Sequence, residues 1–486
     1  MQPQSKIIKY IRELPARELE EFCQFVASPY FNQHDKTKAL LDIILENREH
    51  SNGALEREQL FKRLYPKEKF DEQKLHNVMS YLKKLYHRFL AQQYFEKQPL
   101  LEQLFTARAA YDANQFDLFM NRAKQLDKNI EQHKYHNGDY HYVNYHLNHL
   151  LGFYNGYVDR SKQESFQKMS DAFQKMLTAL DRYFIAEKLR HCCHLTANMM
   201  RVSTHYDFGF LEALLAYVQE NLAQFENDTP IVLYYTVLMT MREESNPAHY
   251  ERLKDILQHK TNLLTREEGY DLYNFANNYC IRQITQGNSK YQRELFSLYQ
   301  QGLSGELLLT NGLISEWDYK NIATLGCSLK EFEWTEHFIN EYRDKLLATH
   351  RENAYNYNLA NFYYNKKMYD RALEVLRDVQ FTEKTYHLNT TILQLRIYYD
   401  LRDTEAFLGL IETFRIYVIR SRKMNTGEKK GYTNLLRFAK NLAVIKHNAS
   451  TFSRKALEEK LTALRSKIAT TDNVINKQWL LEECKI

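Results

Sequence analysis

The chain has 486 residues, only 14 glycines and 7 prolines, and a net charge of +5. So little turn chemistry excludes an architecture of many short strands, while a hydrophobic content of 44% is enough for a core and excludes wholesale disorder. A charge this near zero names no partner class, and no run of about 18 apolar residues occurs, so no membrane span is expected. The opening "MQPQSKIIKYIRELPARELEEF" has no uninterrupted apolar region, so no secretory signal is expected. The six cysteines (Cys23, Cys192, Cys193, Cys280, Cys327 and Cys484) form no framework spacing. Reduced thiols in a cytoplasmic protein are the simplest expectation.

Residues 1–100 are expected to form a distinct helical region. Leu75, Val78, Met79, Leu82, Leu85, Tyr86 and Phe89 make an apolar stripe at helical spacing. Lys74, Asn77, Tyr81, Lys84 and Arg88 make a separate polar, basic stripe. From Leu60 to Arg88 there are eight Lys/Arg against three Asp/Glu. "LYPKEKFDEQKLHNVMSYLKKL" resembles the recognition-helix region of bacterial winged-helix activators. That resemblance implies nucleic-acid contact by Lys74, Asn77, Lys84 and Arg88, since a recognition helix presents basic and amide groups on one face. A wing should follow as a β-hairpin, whereas "RFLAQQYFEKQPLLEQLF" reads as further helix. A target there would therefore be phosphates rather than base sequence, and a helical cap on the solenoid is the preferred reading of this segment.

Residues 101–420 are expected to form an α-solenoid. In "AYNYNLANFYYNKKMYDRALEVLRDV", from Ala354 to Val379, adding 34 takes Leu359 to Leu393, Tyr363 to Ile397, Ala372 to Ala406 and Leu376 to Leu410. This period and pattern resemble the tetratricopeptide repeat, a helix-turn-helix unit, over 353–420. The phrase recurs as "NFANNYC" from Asn274, "NIATLGC" from Asn321 and "NLANFYY" from Asn358, each before a second amphipathic segment: Tyr291–Tyr299, Trp334–Tyr342 and Tyr369–Leu376. "IVLYYTVLMTM" with "AHYERLKDILQ", and "LRHCCHLTANMM" with "FGFLEALLAYVQENL", read as further hairpins. Each leaves an apolar face that only a neighbour can cover, so about six or seven hairpins should stack. In tetratricopeptide stacks the first helix of each pair lines the concave face. The resemblance thus implies a groove containing Asn274, Asn277, Asn321, Tyr357, Asn358 and Asn361. Amide side chains there would both donate to and accept from an extended peptide. Tyr357 stands where peptide-clamping members of that family would carry a lysine.

Candidate chemistry is sparse. "HCCH" at His191–His194 cannot converge on one tetrahedral ion, because successive helical side chains point about 100° apart. The histidines at 133, 136, 141, 146 and 149 come without a helical His-Glu motif or cysteines, so packing is preferred to metal binding. No phosphate loop, dinucleotide fingerprint or nucleophile elbow is present. No enzyme activity, cofactor or metal is expected.

Residues 421–486 are expected to be a basic loop followed by capping helices. From Arg415 to Lys446 nine basic residues face a single acid, Glu428, a net +8. The patch comprises Arg420, Arg422, Lys423, Lys429, Lys430, Arg437 and Lys440. "RSRKMNTGEKKG" has two glycines and no apolar periodicity and reads as an exposed loop. With "INKQWLLEE", the amino-terminal segments resemble a family of uncharacterised bacterial helical-repeat proteins, and that resemblance implies no activity. The expected function is a scaffold binding a protein or peptide through the groove or the basic patch. The alternative is a nucleic-acid-binding regulator with a solenoid sensor body. A third occupant of the basic patch is the acidic body of a second copy of the chain, giving a homo-oligomer.

Overall fold

The structure is a computed structural model and describes residues 6–46, 57–158, 163–202, 204–379, 384–422 and 424–485. Among the described residues the chain forms 23 α-helices and one pair of two-residue strands. The protein is all-α, as its composition implies. It divides into two compact units, Met1–Cys192 with Gly209–Ile231, and Cys193–Phe208 with Val232–Ile486. The boundaries expected at 100 and 420 are not where these units part.

In the first unit, α1 (Lys6–Glu13), α2 (Ala16–Ala27), α3 (Asp35–Glu46) and α4 (Arg57–Leu64) precede the 25-residue α5 (Glu72–Glu96). Asp71 caps α5 by accepting from the Lys74 amide at 3.0 Å. Its apolar stripe is buried against α1–α4, where Leu75, Leu82, Leu85 and Phe89 meet Ile11, Phe22, Leu40 and Phe61. No wing follows: α6 (Pro99–Asp112) starts with proline in its first turn and packs on α5. α6, α7 (Phe116–Glu131) and α8 (Gly138–Phe153) share a second core around Ala107, Phe119, Leu126 and Leu147. The hairpin expected from "LRHCCHLTANMM" and "FGFLEALLAYVQENL" is corrected in its first arm, which is the end of α9 (Gln163–Val202), a helix continuous for 40 residues whose part from Cys193 on belongs to the second unit. No proline or glycine interrupts α9. α10 is Leu211–Glu220.

The second unit takes most of α11 (Thr229–Arg242), then α12 (Pro247–His259), α13 (Arg266–Thr285) and α14 (Lys290–Ser304). Strands β1 (Leu309–Thr310) and β2 (Leu313–Ile314) join through Asn311 (φ 53°) and Gly312 (φ 77°). Two left-handed residues make the tight hairpin turn that matches strand twist. The Asn-Gly dipeptide carried that signal. Next come α15 (Glu316–Ser328), α16 (Phe332–Glu341), α17 (Arg351–Asn365), α18 (Tyr369–Leu376), α19 (Lys384–Leu401) and α20 (Thr404–Arg420). The last three are α21 (Thr426–His447), α22 (Arg454–Thr470) and α23 (Lys477–Glu483).

From α13 to α20 the helices pair in sequence, α13 with α14 and so on to α19 with α20. First helices also pack on one another, α15 on α17 and α17 on α19. Each pair turns on one left-handed residue: Gly287 (φ 98°), Lys330 (φ 61°), Lys367 (φ 60°) and Arg402 (φ 58°). The following amide donates to the carbonyl five residues back, at 2.9 Å from Asn288 to Gln283, 3.0 Å from Glu331 to Gly326, 2.9 Å from Met368 to Tyr363 and 3.0 Å from Asp403 to Tyr398. This bond is the Schellman closure of a helix end. Aligned on the turn, Cys280, Ala323, Ala360 and Leu395 occupy one position, and all are at most 1% exposed. In "NFANNYC" the alanine, Ala276, sits one helical turn earlier, which is why that phrase fits the 34-residue spacing poorly.

The 34-residue register is itself corrected on the second helices. Ala372 is fully buried, but Ala406 is only half-buried, and Phe407 takes the buried place with Ile411, Phe414 and Val418. Lys367 and Arg402 are likewise 35 residues apart. The boundary expected at 420 is crossed by one core, in which Leu395 and Phe414 pack with Leu435, Leu461 and Trp479. The expected basic loop is also shorter. Asn425 and Glu428 form a reciprocal capping box (2.8 and 3.0 Å), so "TGEKKG" belongs to α21. Gly431 is there for close approach. A Cβ on it would stand 2.7 Å from Asn473 Oδ1 and 3.1 Å from Ile475. The turn at 472–475 is bound to α21 by Asn434 donating to the Asn473 carbonyl (3.1 Å) and Asn473 donating to the Gly427 carbonyl (2.6 Å).

Two stability measurements check this packing. Ala372→Leu should lower the unfolding free energy by about 1–3 kcal/mol through overpacking, and Ala406→Leu should cost clearly less. Gly431→Ala should also destabilise, by about 1 kcal/mol or more, in the same denaturant titration. Equal behaviour of Ala372→Leu and Ala406→Leu would contradict the register.

Candidate functional site

The six groove residues do not share one surface. Asn358, Asn361 and Asn277 are buried. Asn358 donates to the Ala354 carbonyl at 2.8 Å within its own helix. Asn361 receives the Asn365 amide on its carbonyl at 2.7 Å. Asn277 lies beside the Tyr273 phenol. Asn274 and Tyr357 are half-buried, and only Asn321 is exposed. The expectation that these amides face a peptide is corrected for the three buried ones: α17, which carries Asn358 and Asn361, packs on α15, α18 and α19, and α13, which carries Asn277, packs on α12 and α14. Space beside Asn358 and Tyr357, bounded also by Trp317, Lys320, Tyr386 and Asn389, is about 20 Å³ for the centre of a water-sized sphere. That is room for one water. The Lys320 ammonium of the neighbouring hairpin lies 5.5 Å from the Tyr357 ring centre. Burial holds this ammonium below its usual value, with Glu316 opposing, and pushes the Tyr357 phenol up to about 12.

On α5 the basic stripe is partly occupied. Lys74 pairs with Glu68 at 2.5 Å and sits over the Tyr65 ring. Arg88 lies over Phe31 and donates to its carbonyl at 3.4 Å. Tyr81 meets His34 edge-on. Asn77 accepts from Gln73, and Lys84 is exposed. The segment at 31–34 thus covers part of the face that nucleic acid would need.

At "HCCH" both cysteines are buried, His191 reaches Glu187 at 3.4 Å, and His194 reaches Asp271 at 3.2 Å. Among the described residues no group of three His, Cys, Asp or Glu side chains is placed to hold a metal ion. No helix there is long and apolar enough to cross a membrane. In the first unit His141 and Asp228 are buried 3.3 Å apart, with Arg182 on the other carboxylate oxygen at 3.0 Å. This trio is a structural anchor, distant in sequence and unsignalled by any motif.

The basic region forms a continuous face on α20 and α21. Lys440 reaches Glu412 at 3.4 Å and the Lys429 ammonium donates to the Ile419 carbonyl at 2.9 Å, which fixes the two helices antiparallel. One stripe of α20 therefore carries Glu412, Arg415, Ile416 and Ile419. It adjoins a stripe of α21 carrying Lys430, Thr433, Arg437 and Lys440. Arg420, Arg422, Lys430, Arg437 and Lys440 are exposed, and Lys429 is half-buried. Lys423 lies outside the described residues. Glu412 is clamped by Arg415 at 3.0 Å and by Lys440, which hold its carboxyl below the usual range. Amid these cations Ile416 and Ile419 are 45% and 54% exposed. The sequence signalled the charge but not the isoleucines, which in a linear reading are two more positions of an amphipathic helix.

A second concave feature had no sequence signal. The end of α19, the start of α20, the end of α21 and α23 enclose a cleft of about 560 Å³, with Tyr399, Asp400, Thr404, Lys446, His447 and Glu483 on its walls. Burial raises the Glu483 carboxyl, and the Asp400 charge raises it further, while Lys446, the Tyr399 hydroxyl and Arg396 oppose. The residues, from Tyr399 to Glu483, lie up to 84 positions apart, so only folding assembles them.

No family model, no curated protein and no solved structure matches the chain.

The direction at Glu483 has a consequence for stability. A carboxyl raised by folding binds its proton more tightly when folded, so its ionisation costs stability as pH rises through the folded value. Glu483→Gln should therefore raise the melting temperature at neutral pH, and the gain should shrink as pH falls through the Glu483 transition. Thermal melts at several pH values check this; an unchanged difference across pH would contradict it.

Proposed function

We propose that the protein is a non-enzymatic binding scaffold whose α20–α21 face docks an acidic, amphipathic segment of a partner protein. The observation that carries this reading is the exposed Ile416–Ile419 pair on a helix stripe that adjoins the exposed cations of α20 and α21. Phosphate recognition uses the cations and has no use for two isoleucines. A helix with apolar residues at i and i+3 or i+4 flanked by carboxylates matches both features. Exposed apolar surface rimmed by charge is how such docking sites present themselves. The helical repeats preceding it, read as tetratricopeptide-like, supply a rigid support. Aromatic rings for stacking bases are not exposed on this face, since Tyr417 packs on His387 and Tyr432 on Phe414, which favours protein over nucleic acid.

Fluorescence anisotropy tests the reading with two probes of similar charge, an acidic amphipathic helical peptide and a duplex oligonucleotide. The peptide should bind with salt-sensitive affinity. Two variants should each weaken it by at least about tenfold, or about 1.4 kcal/mol: the double Ile416→Asp, Ile419→Asp, and the quadruple reversal of Arg420, Arg422, Lys430 and Arg437 to Glu. A duplex that binds more tightly than the peptide and ignores the isoleucine variant would overturn the proposal in favour of nucleic acid.

A further inference from the structure

The cleft at α19–α23 stands apart from the isoleucine stripe and holds a different chemistry. Its volume of about 560 Å³ falls in the range of small-molecule sites. Two carboxylates, Asp400 and Glu483, stand half-buried in its wall. The Tyr369 hydroxyl donates to Asp400 at 3.3 Å, and the Tyr399 phenol, raised by burial, stands beside Glu483, whose charge raises it further. Among the described residues neither carboxylate has a basic group within ion-pair distance. Lys446 and Arg396 attract Glu483 from farther away. The Lys446 ammonium turns to the Lys485 carbonyl at 3.5 Å, and the Arg396 guanidinium lies over the Tyr364 and Trp479 rings.

Both carboxylates line the one partly buried cleft, near enough for the Asp400 charge to raise the Glu483 carboxyl, so they repel and are poorly solvated. A single cation between them relieves both penalties. An ammonium group suits the place, because it has three donors to share between two carboxylates, and the rings of Tyr398 and Tyr399 beside it favour a cation. We propose that this cleft binds a small molecule through a primary ammonium group seated between Asp400 and Glu483, with its hydrocarbon chain against Tyr398, Tyr399 and Phe407. Such a group comes from a free diamine or from an amino acid. In the second case the ligand's carboxylate meets Lys446 or Arg402 at the mouth of the cleft.

Calorimetric titration of the full chain with cadaverine and with L-lysine tests the proposal, since these probes differ only by a carboxylate. Saturable binding of either at millimolar concentration is the expected result. Cadaverine alone identifies an amine site, lysine alone an amino-acid site, and both an ammonium site indifferent to the second charge. Asp400→Asn and Glu483→Gln should each weaken binding by about tenfold or more. Lys446→Met should weaken lysine and spare cadaverine. Hydrogen exchange on the wild-type protein provides a readout free of any folding defect in the variants: protection by the ligand should fall on 398–407, 443–450 and 477–485. No binding of either probe, protection elsewhere, or binding indifferent to both carboxylate substitutions would overturn the proposal.

Discussion

Reversing a helix within three residues leaves its last carbonyls without partners, and the second unit meets that constraint in one way four times over. At Gly287, Lys330, Lys367 and Arg402 the backbone enters the left-handed region, and the next amide closes onto the carbonyl five residues back. Three of these four residues are not glycine, so the chain accepts a cost of about 1 kcal/mol at each. The turn fixes how the second helix leaves the first, and so which residue lies at their closest approach. Seven residues before each turn that residue is buried and, in three of four cases, small. Because a hairpin cannot cover both of its apolar faces, α15 packs on α17 and α17 on α19.

Once first helices pack on one another, their polar residues acquire structural work. Asn358 and Asn277 are enclosed, and the phenols of Tyr250, Tyr273, Tyr279 and Tyr319 are fully buried. Tyr319 donates to the Ile339 carbonyl at 2.6 Å, and Tyr386 donates to Glu316 at 2.6 Å across from α19 to α15. A tyrosine-rich helix thus fills volume with its ring and satisfies a distant acceptor with its hydroxyl. Within "AYNYNLANFYYN" the Tyr355 hydroxyl likewise donates to Asn340 at 3.0 Å, and Asn358 and Asn361 are buried.

The carboxyl-terminal helices distribute charge differently. α20 and α21 place cations and two isoleucines on one stripe, where like charges raise the local potential and only Glu412 and Glu428 offset it. At their other ends the same two helices, with α19 and α23, enclose the half-buried carboxylates of Asp400 and Glu483. One antiparallel pair therefore carries a cationic surface along its side and a cleft of mixed charge at its end. The start of α21 is held by the Asn425–Glu428 capping box and by the 472–475 turn seated on Gly431.

The amino-acid sequence by itself determined the helical class, the amphipathic stripe of α5, the hairpins from α13 to α20 and the basic character of 415–446. These follow from local periodicity and composition, which act within a few residues. It also contained the Asn311–Gly312 turn and the "NTGE" capping box, legible in principle from their residue types. Tertiary structure alone decided that Asn358 and Asn361 are core rather than groove, that Phe407 and not Ala406 is buried, and that "HCCH" lies within one long helix. It alone placed Ile416 and Ile419 at the surface and joined Asp400 to Glu483. The physical reason is that an apolar or polar face states only that something must cover it or solvate it. Which partner does so depends on turns and packing that bring together residues tens of positions apart.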